Sequence, residues 1–125
     1  MSEFKTKLEV TLVNQQAAQG RGMWKLDAPL IYQSDIANQT LTVPTGFITD
    51  LASVPRIPFV FLLVGDIASE AATLHDYLYS QVKPLSRAMA DKVLKEAAQA
   101  TGCPAWQSWL LYIGVRIGGK SHFGT

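Results

Sequence analysis

The hydrophobic period of this chain changes once, and the change divides it into two unlike halves. From Lys5 to Val13 the side chains alternate, with Leu8, Val10 and Leu12 on one side and Lys7, Glu9 and Thr11 on the other. A two-residue period belongs to a strand with one buried face. Met23-Trp24-Lys25-Leu26, Leu30-Ile31-Tyr32 and Thr40-Leu41-Thr42-Val43 read as further short strands, separated by turns at Asp27-Ala28-Pro29 and at residues 34–39. Pro44-Thr45-Gly46 is another turn, with Gly46 free to take positive φ, and it delivers Phe47-Ile48 as an apolar anchor. Beyond Pro55 and Pro58, Ala, Leu and Lys dominate and the period becomes helical. Each half has one apolar face to bury, so the expected fold class is α+β: an N-terminal antiparallel β meander packed against a C-terminal layer of about three helices.

The first helix is expected after Ser69 and runs to about Gln81, with Ala71, Leu74, His75, Leu78 and Val82 inward and Thr73 and Tyr77 elsewhere. The second starts after Ser86 and ends before Gly102, with Ala90, Val93, Leu94, Ala97 and Thr101 inward and Lys92, Lys95, Glu96 and Gln99 solvated. The third takes Pro104 as its first residue and runs to Ile117. It is apolar nearly all round, the pattern of a helix buried on most sides.

At 125 residues the chain is read as one domain, 1–125, able to bury roughly two-thirds of its unfolded surface. Eleven Lys and Arg against ten Asp and Glu leave a net charge of +1, spread along the chain, so no nucleic-acid partner is expected. The lone Cys103 forms no internal disulfide and reads as a small buried residue. Met1-Ser2-Glu3-Phe4-Lys5 has no basic stretch followed by an apolar run, so a secretory signal is not expected. The apolar runs at residues 57–65 and 106–117 are too short to cross a bilayer, and no membrane span is expected. Trp106, Trp109 and Tyr112 share one side of a helix and read as core or interface, with Trp106, near the helix start, the most readily exposed.

Against this apolar background His75 stands out, because it interrupts the inward face of the first helix and needs a polar partner there. The upstream loop offers Asp50 and Ser53, and Asp76, Arg87, Asp91 and Arg116 follow downstream. Arg116 cannot lose its proton and must meet a carboxylate or carbonyl groups. Arg87 and Asp91 are ordered against the helix dipole, so a role in helix stability is the weaker explanation for that pair. Asp50, His75, Asp76, Arg87, Asp91 and Arg116 are therefore expected to converge.

Such a cluster is either a structural hub between the two layers or a site with chemistry. In the second case Asp50, Ser53, His75, Asp76 and Asp91 are the candidate catalytic residues, with His75 as base or ligand and a carboxylate orienting it. No cofactor is expected. A divalent metal would have to be held by His75, Asp50 and Asp91, with His122 in the tail as a further ligand, since no paired-histidine or Cys-x-x-Cys spacing exists. His75-Asp76 is similar to the pair of the HD phosphohydrolases, but no histidine precedes it. A Ser53 nucleophile lacks the Gly-x-Ser-x-Gly elbow.

Residues 43–56, with Thr49-Asp50-Leu51-Ala52-Ser53-Val54-Pro55-Arg56 at their end, and Leu74-His75-Asp76-Tyr77-Leu78-Tyr79 resemble a family of small proteins from tailed phages, prophages and bacteria, domain of unknown function 1353. Arg87 with Ala90-Asp91, Tyr112 with Val115-Arg116, and Gly118-Gly119 complete the likeness, which covers residues 40–119 and leaves 1–39 as less family-like strands. The matching positions are Asp50, Ser53, Pro55, His75, Asp76, Tyr79, Arg87, Asp91 and Arg116. The resemblance implies a phage or prophage origin and carries no established activity. The expected function is an accessory protein, a virion or tail assembly component or host-interaction module, in the host cytoplasm or on the particle. Its expected partners are other phage or host proteins or a second copy. The alternative is a small, metal-dependent hydrolase of the cell envelope centred on Asp50, His75 and Asp91.

Overall fold

The computed structural model describes residues 2–14, 23–49, 69–80 and 85–118. Six strands come first and three helices follow, an α+β fold. The strands form two three-stranded antiparallel sheets instead of one meander. In the first sheet, β4 (Leu30–Ser34) lies between β1 (Glu3–Phe4) and β5 (Gln39–Val43); in the second, β3 (Met23–Leu26) lies between β2 (Val10–Asn14) and β6 (Ile48–Thr49).

The expected strand over residues 5–13 is broken where the chain passes from one sheet to the other. The Thr6 hydroxyl donates to the Pro29 carbonyl at 3.1 Å and accepts from the Ile31 amide at 3.0 Å, occupying the place of a ladder bond. The Leu8 amide turns to Glu70 of the first helix, 3.1 Å away. Leu12, within β2, is exposed instead of lining a buried face. On β4 and β5 the alternation holds: Leu30, Tyr32 and Ser34 point inward, as do Leu41 and Val43. The turn into β6 needs a left-handed residue, and Gly46 takes it at φ 91°, its amide bonding the Leu26 carbonyl at 2.8 Å.

The helices are α1 (Ser69–Ser80), α2 (Arg87–Ala100) and α3 (Ala105–Gly118). The Ser86 side chain caps α2 by accepting from the Met89 amide, and Gly102 at φ 103° ends the turn that follows it. Pro104 stands just outside α3, its carbonyl accepting the first helical bond from Ser108. α2 lies between α1 and α3 and also packs on β1 and β4, so its Ala90, Val93, Leu94 and Ala97 sit at the centre of the core. Sheet residues Leu26, Leu30, Tyr32 and Val43 and helix residues Leu74, Leu78, Leu111 and Val115 complete the core.

Three expected faces are corrected. Thr73 is buried. Glu96 is half-buried, because β4 and its turn come to rest on its end of α2. α3 is buried on one side only: Trp106, Trp109, Ile113 and Ile117 form an exposed apolar stripe, since only α2 packs extensively against α3 among the described residues. No helix among the described residues is long and apolar enough to cross a membrane.

Candidate functional site

Each of the three helices contributes to one buried polar centre. His75 and Tyr79 lie one turn apart on α1, which places both on the same face with ring centroids 4.1 Å apart. Opposite them, on the core face of α2, stands Asp91, with no solvent exposure. His75 Nε2 bonds Asp91 Oδ1 at 2.8 Å, and the Tyr79 hydroxyl donates to that same oxygen. From α3, Arg116 Nη1 donates to Asp91 Oδ2 at 2.8 Å. Arg87, in the first turn of α2, donates through Nη2 to the Val115 and Arg116 carbonyls at 3.1 and 2.7 Å. A cation thus sits on the carbonyls of the last turn of α3, where the helix dipole favours positive charge.

The charge states follow from burial. Complete desolvation pushes His75 below its ordinary value, and Arg87 pushes the same way, against the opposing pull of Asp91 and Asp76. The folded protein therefore holds a neutral imidazole whose Nε2 carries the proton, since the Asp91 carboxylate can only accept. Burial raises Asp91, but the bonds from His75, Tyr79 and Arg116 outweigh it and leave the carboxyl below its ordinary value. Tyr79 is held as a neutral phenol by burial and by its bond to Asp91.

Among the described residues, two buried atoms of this centre have no hydrogen-bond partner: His75 Nδ1, an acceptor, and Arg87 Nε, a donor. Asp91 accepts three hydrogen bonds, two at Oδ1 and one at Oδ2. Of the expected metal set, His75 and Asp91 meet through Nε2 and Oδ1, and Asp50 lies outside the described residues. No group of three or more His, Cys, Asp or Glu that could hold a metal ion occurs among the described residues.

Of the residues expected to converge, His75, Asp91 and Arg116 meet directly and Arg87 braces the same helix ends. Asp76 accepts from Thr49 Oγ1 on β6 at 2.5 Å, tying α1 to the second sheet. Asp50, Ser53 and His122 lie outside the described residues. Cys103 is buried, and desolvation raises its thiol, which suits a packing role. Tyr79 was not among the residues expected in the cluster, although its spacing from His75 was a readable signal.

Glu96 forms a second polar centre. Its Oε1 accepts from the Tyr32 hydroxyl and Ser34 Oγ, both at 2.8 Å, and its Oε2 accepts from the Ile36 amide at 2.9 Å. One carboxylate thereby clamps α2 to β4 and to the β4–β5 turn.

Residues 24–115 match the family described as protein of unknown function (DUF1353). The chain belongs to that family. No curated protein and no solved structure matches it. The matched span contains the whole Asp91 centre except Arg116, which follows directly after it.

The lowered His75 and Asp91 values make stability depend on pH in one direction. Below the ordinary imidazole value of 6.5, the unfolded chain binds a proton at His75 that the folded chain resists. Stability is therefore full above that pH and falls as pH drops through it, by at most about 1.4 kcal/mol per pH unit for one proton. Asp91 adds a further loss below its ordinary value of 3.8, as acid reaches its folded value. Denaturant titrations between mildly alkaline and mildly acidic pH should show the upper loss in a His122→Gln background. His75→Gln, which keeps an N–H donor for Asp91, should flatten it. An unchanged slope would contradict a neutral His75.

Proposed function

We propose that this DUF1353 protein is a phage- or prophage-encoded accessory protein, a virion or tail assembly component or host-interaction module, in which the Asp91 centre is structural and the outer face of α3 is the working surface. The observation that carries this reading is the contrast between the two. His75 and Asp91 have no solvent exposure, whereas Trp106 and Trp109 are about half exposed and continue into Ile113 and Ile117. A catalytic base needs a path to substrate, and a contiguous apolar stripe on a small domain is a surface for another protein. The phage setting rests on the likeness of residues 40–119 to phage and prophage proteins.

A second reading, a small hydrolase acting on the cell envelope, is favoured by one feature, a histidine Nδ1 without a partner among the described residues, whose other nitrogen is oriented by a carboxylate. Reaching that nitrogen requires opening of the core around α1.

Substitution separates the two. Trp106→Glu with Ile117→Glu should leave stability within about 0.5 kcal/mol, as changes at exposed positions do. The same pair should lower the yield of infectious particles from a lysogen that encodes the protein, and mass spectrometry of purified particles then distinguishes a virion component from a cytoplasmic one. Full particle yield with a folded double variant would overturn the assembly reading. Loss of yield in a His75→Gln variant of unchanged Tm would favour the hydrolase.

A further inference from the structure

Beside the exposed stripe, α2, α3 and the β4–β5 turn enclose an open cleft of about 470 Å3. Its apolar walls are Ile36, Trp109 and Tyr112, and Lys92, Lys95 and Gln99 line it from α2. Trp109 and Tyr112 stack with centroids 5.5 Å apart, and the Lys95 ammonium lies over the Trp109 ring at 4.5 Å. A fourth α2 residue, Glu96, also lines the cleft, but its oxygens are taken by Tyr32, Ser34 and the Ile36 amide. Among the described residues no carboxylate forms an ion pair with Lys92 or Lys95. The cleft thus joins two lysines, without an ion pair among the described residues and outnumbering the one carboxylate there, to an aromatic wall.

We propose that this cleft binds a short acidic segment of a partner protein, with a carboxylate received between Lys92 and Lys95 and a neighbouring apolar side chain placed against Ile36 and Trp109. The proposal rests on the assembly reading above and names the chemistry of the partner. Charge complementarity selects the occupant. Two cations are too few for a nucleic-acid backbone, whose binding relies on many phosphate contacts. A sugar would have to displace Lys95 from the ring it would stack on. A carboxylate can meet Lys95 while that cation stays over Trp109, and the volume lies within the roughly 300–1,000 Å3 of ordinary ligand clefts, enough for a few side chains.

The test uses the full chain and fluorescein-labelled short peptides on one scaffold, carrying Asp, Lys or Asn at the charged positions and Phe or Ala at the apolar ones. A single-stranded oligonucleotide of similar length is the comparison probe. Anisotropy titrations should rank the Asp/Phe peptide first. Its binding should weaken as the Debye length falls from about 10 to about 3 Å with added salt. Lys92→Gln with Lys95→Gln should weaken it by about five- to tenfold, in keeping with two exposed charge pairs, with Tm unchanged. No preference for acidic peptides, a preference that survives both substitutions, or tighter binding of the oligonucleotide would each overturn the proposal. Those failures leave the particle-yield phenotype of the Trp106 and Ile117 changes untouched, so failure of the cleft and failure of the assembly reading are told apart.

Discussion

Asp91→Asn should destabilise the protein by about 3 kcal/mol, the scale of breaking a buried charge pair by removing one partner. For a chain of this size that is a fall in Tm on the order of 10 °C. The amide keeps one acceptor, which His75 and Tyr79 compete for, and turns an NH2 toward the Arg116 guanidinium. The Arg116 side chain is 36 % exposed, so water recovers part of its solvation and holds the cost below that of a wholly buried cation. Differential scanning calorimetry and urea titration check the value. An Asp91→Asn protein that melts with the wild type would defeat the structural account of the centre and leave chemistry as the reason for that carboxylate.

Glu96→Ala should cost about 2–4 kcal/mol, because it strands donors that the sheet has turned inward. Tyr32 and Ser34 have no exposure, and each would be left with a buried hydroxyl lacking its acceptor, at about 1–3 kcal/mol per group before relaxation. Glu96→Gln should recover about half of that loss by the same per-bond reckoning. Its carbonyl can still serve Tyr32 or Ser34, but its NH2 would face the Ile36 amide, donor against donor. Urea titration of both variants at matched pH gives the two values. A Gln variant no better than the Ala variant would show that the carboxylate charge, and not its acceptor geometry, holds the turn.

His75 was conspicuous because a polar residue on an apolar helical stripe breaks a pattern, and Arg116 because a guanidinium in an apolar helix cannot discharge itself. Glu96 broke no pattern. It stands with Lys92, Lys95 and Gln99 on the polar side of α2, and nothing in the helix's own period says that a β-turn will come to rest on it. In the same way the period of α3 announces apolar surface on nearly every side, but whether a neighbour covers it depends on how many elements reach that side.

By itself the sequence determined what is local: the change from a two-residue to a helical period, the Ser86 cap, the left-handed turn glycines Gly46 and Gly102, and the burial of His75. Those follow from backbone sterics and from the spacing of apolar groups a few residues apart. The tertiary structure alone decided that the strands divide into two sheets, that Asp91 rather than Asp76 receives His75 and Arg116, that Glu96 clamps the sheet, and that Trp109 walls an open cleft. Each of these joins groups from different elements, and a pairing of that kind is set by which faces meet after collapse, where desolvation penalises every donor or cation left without its acceptor.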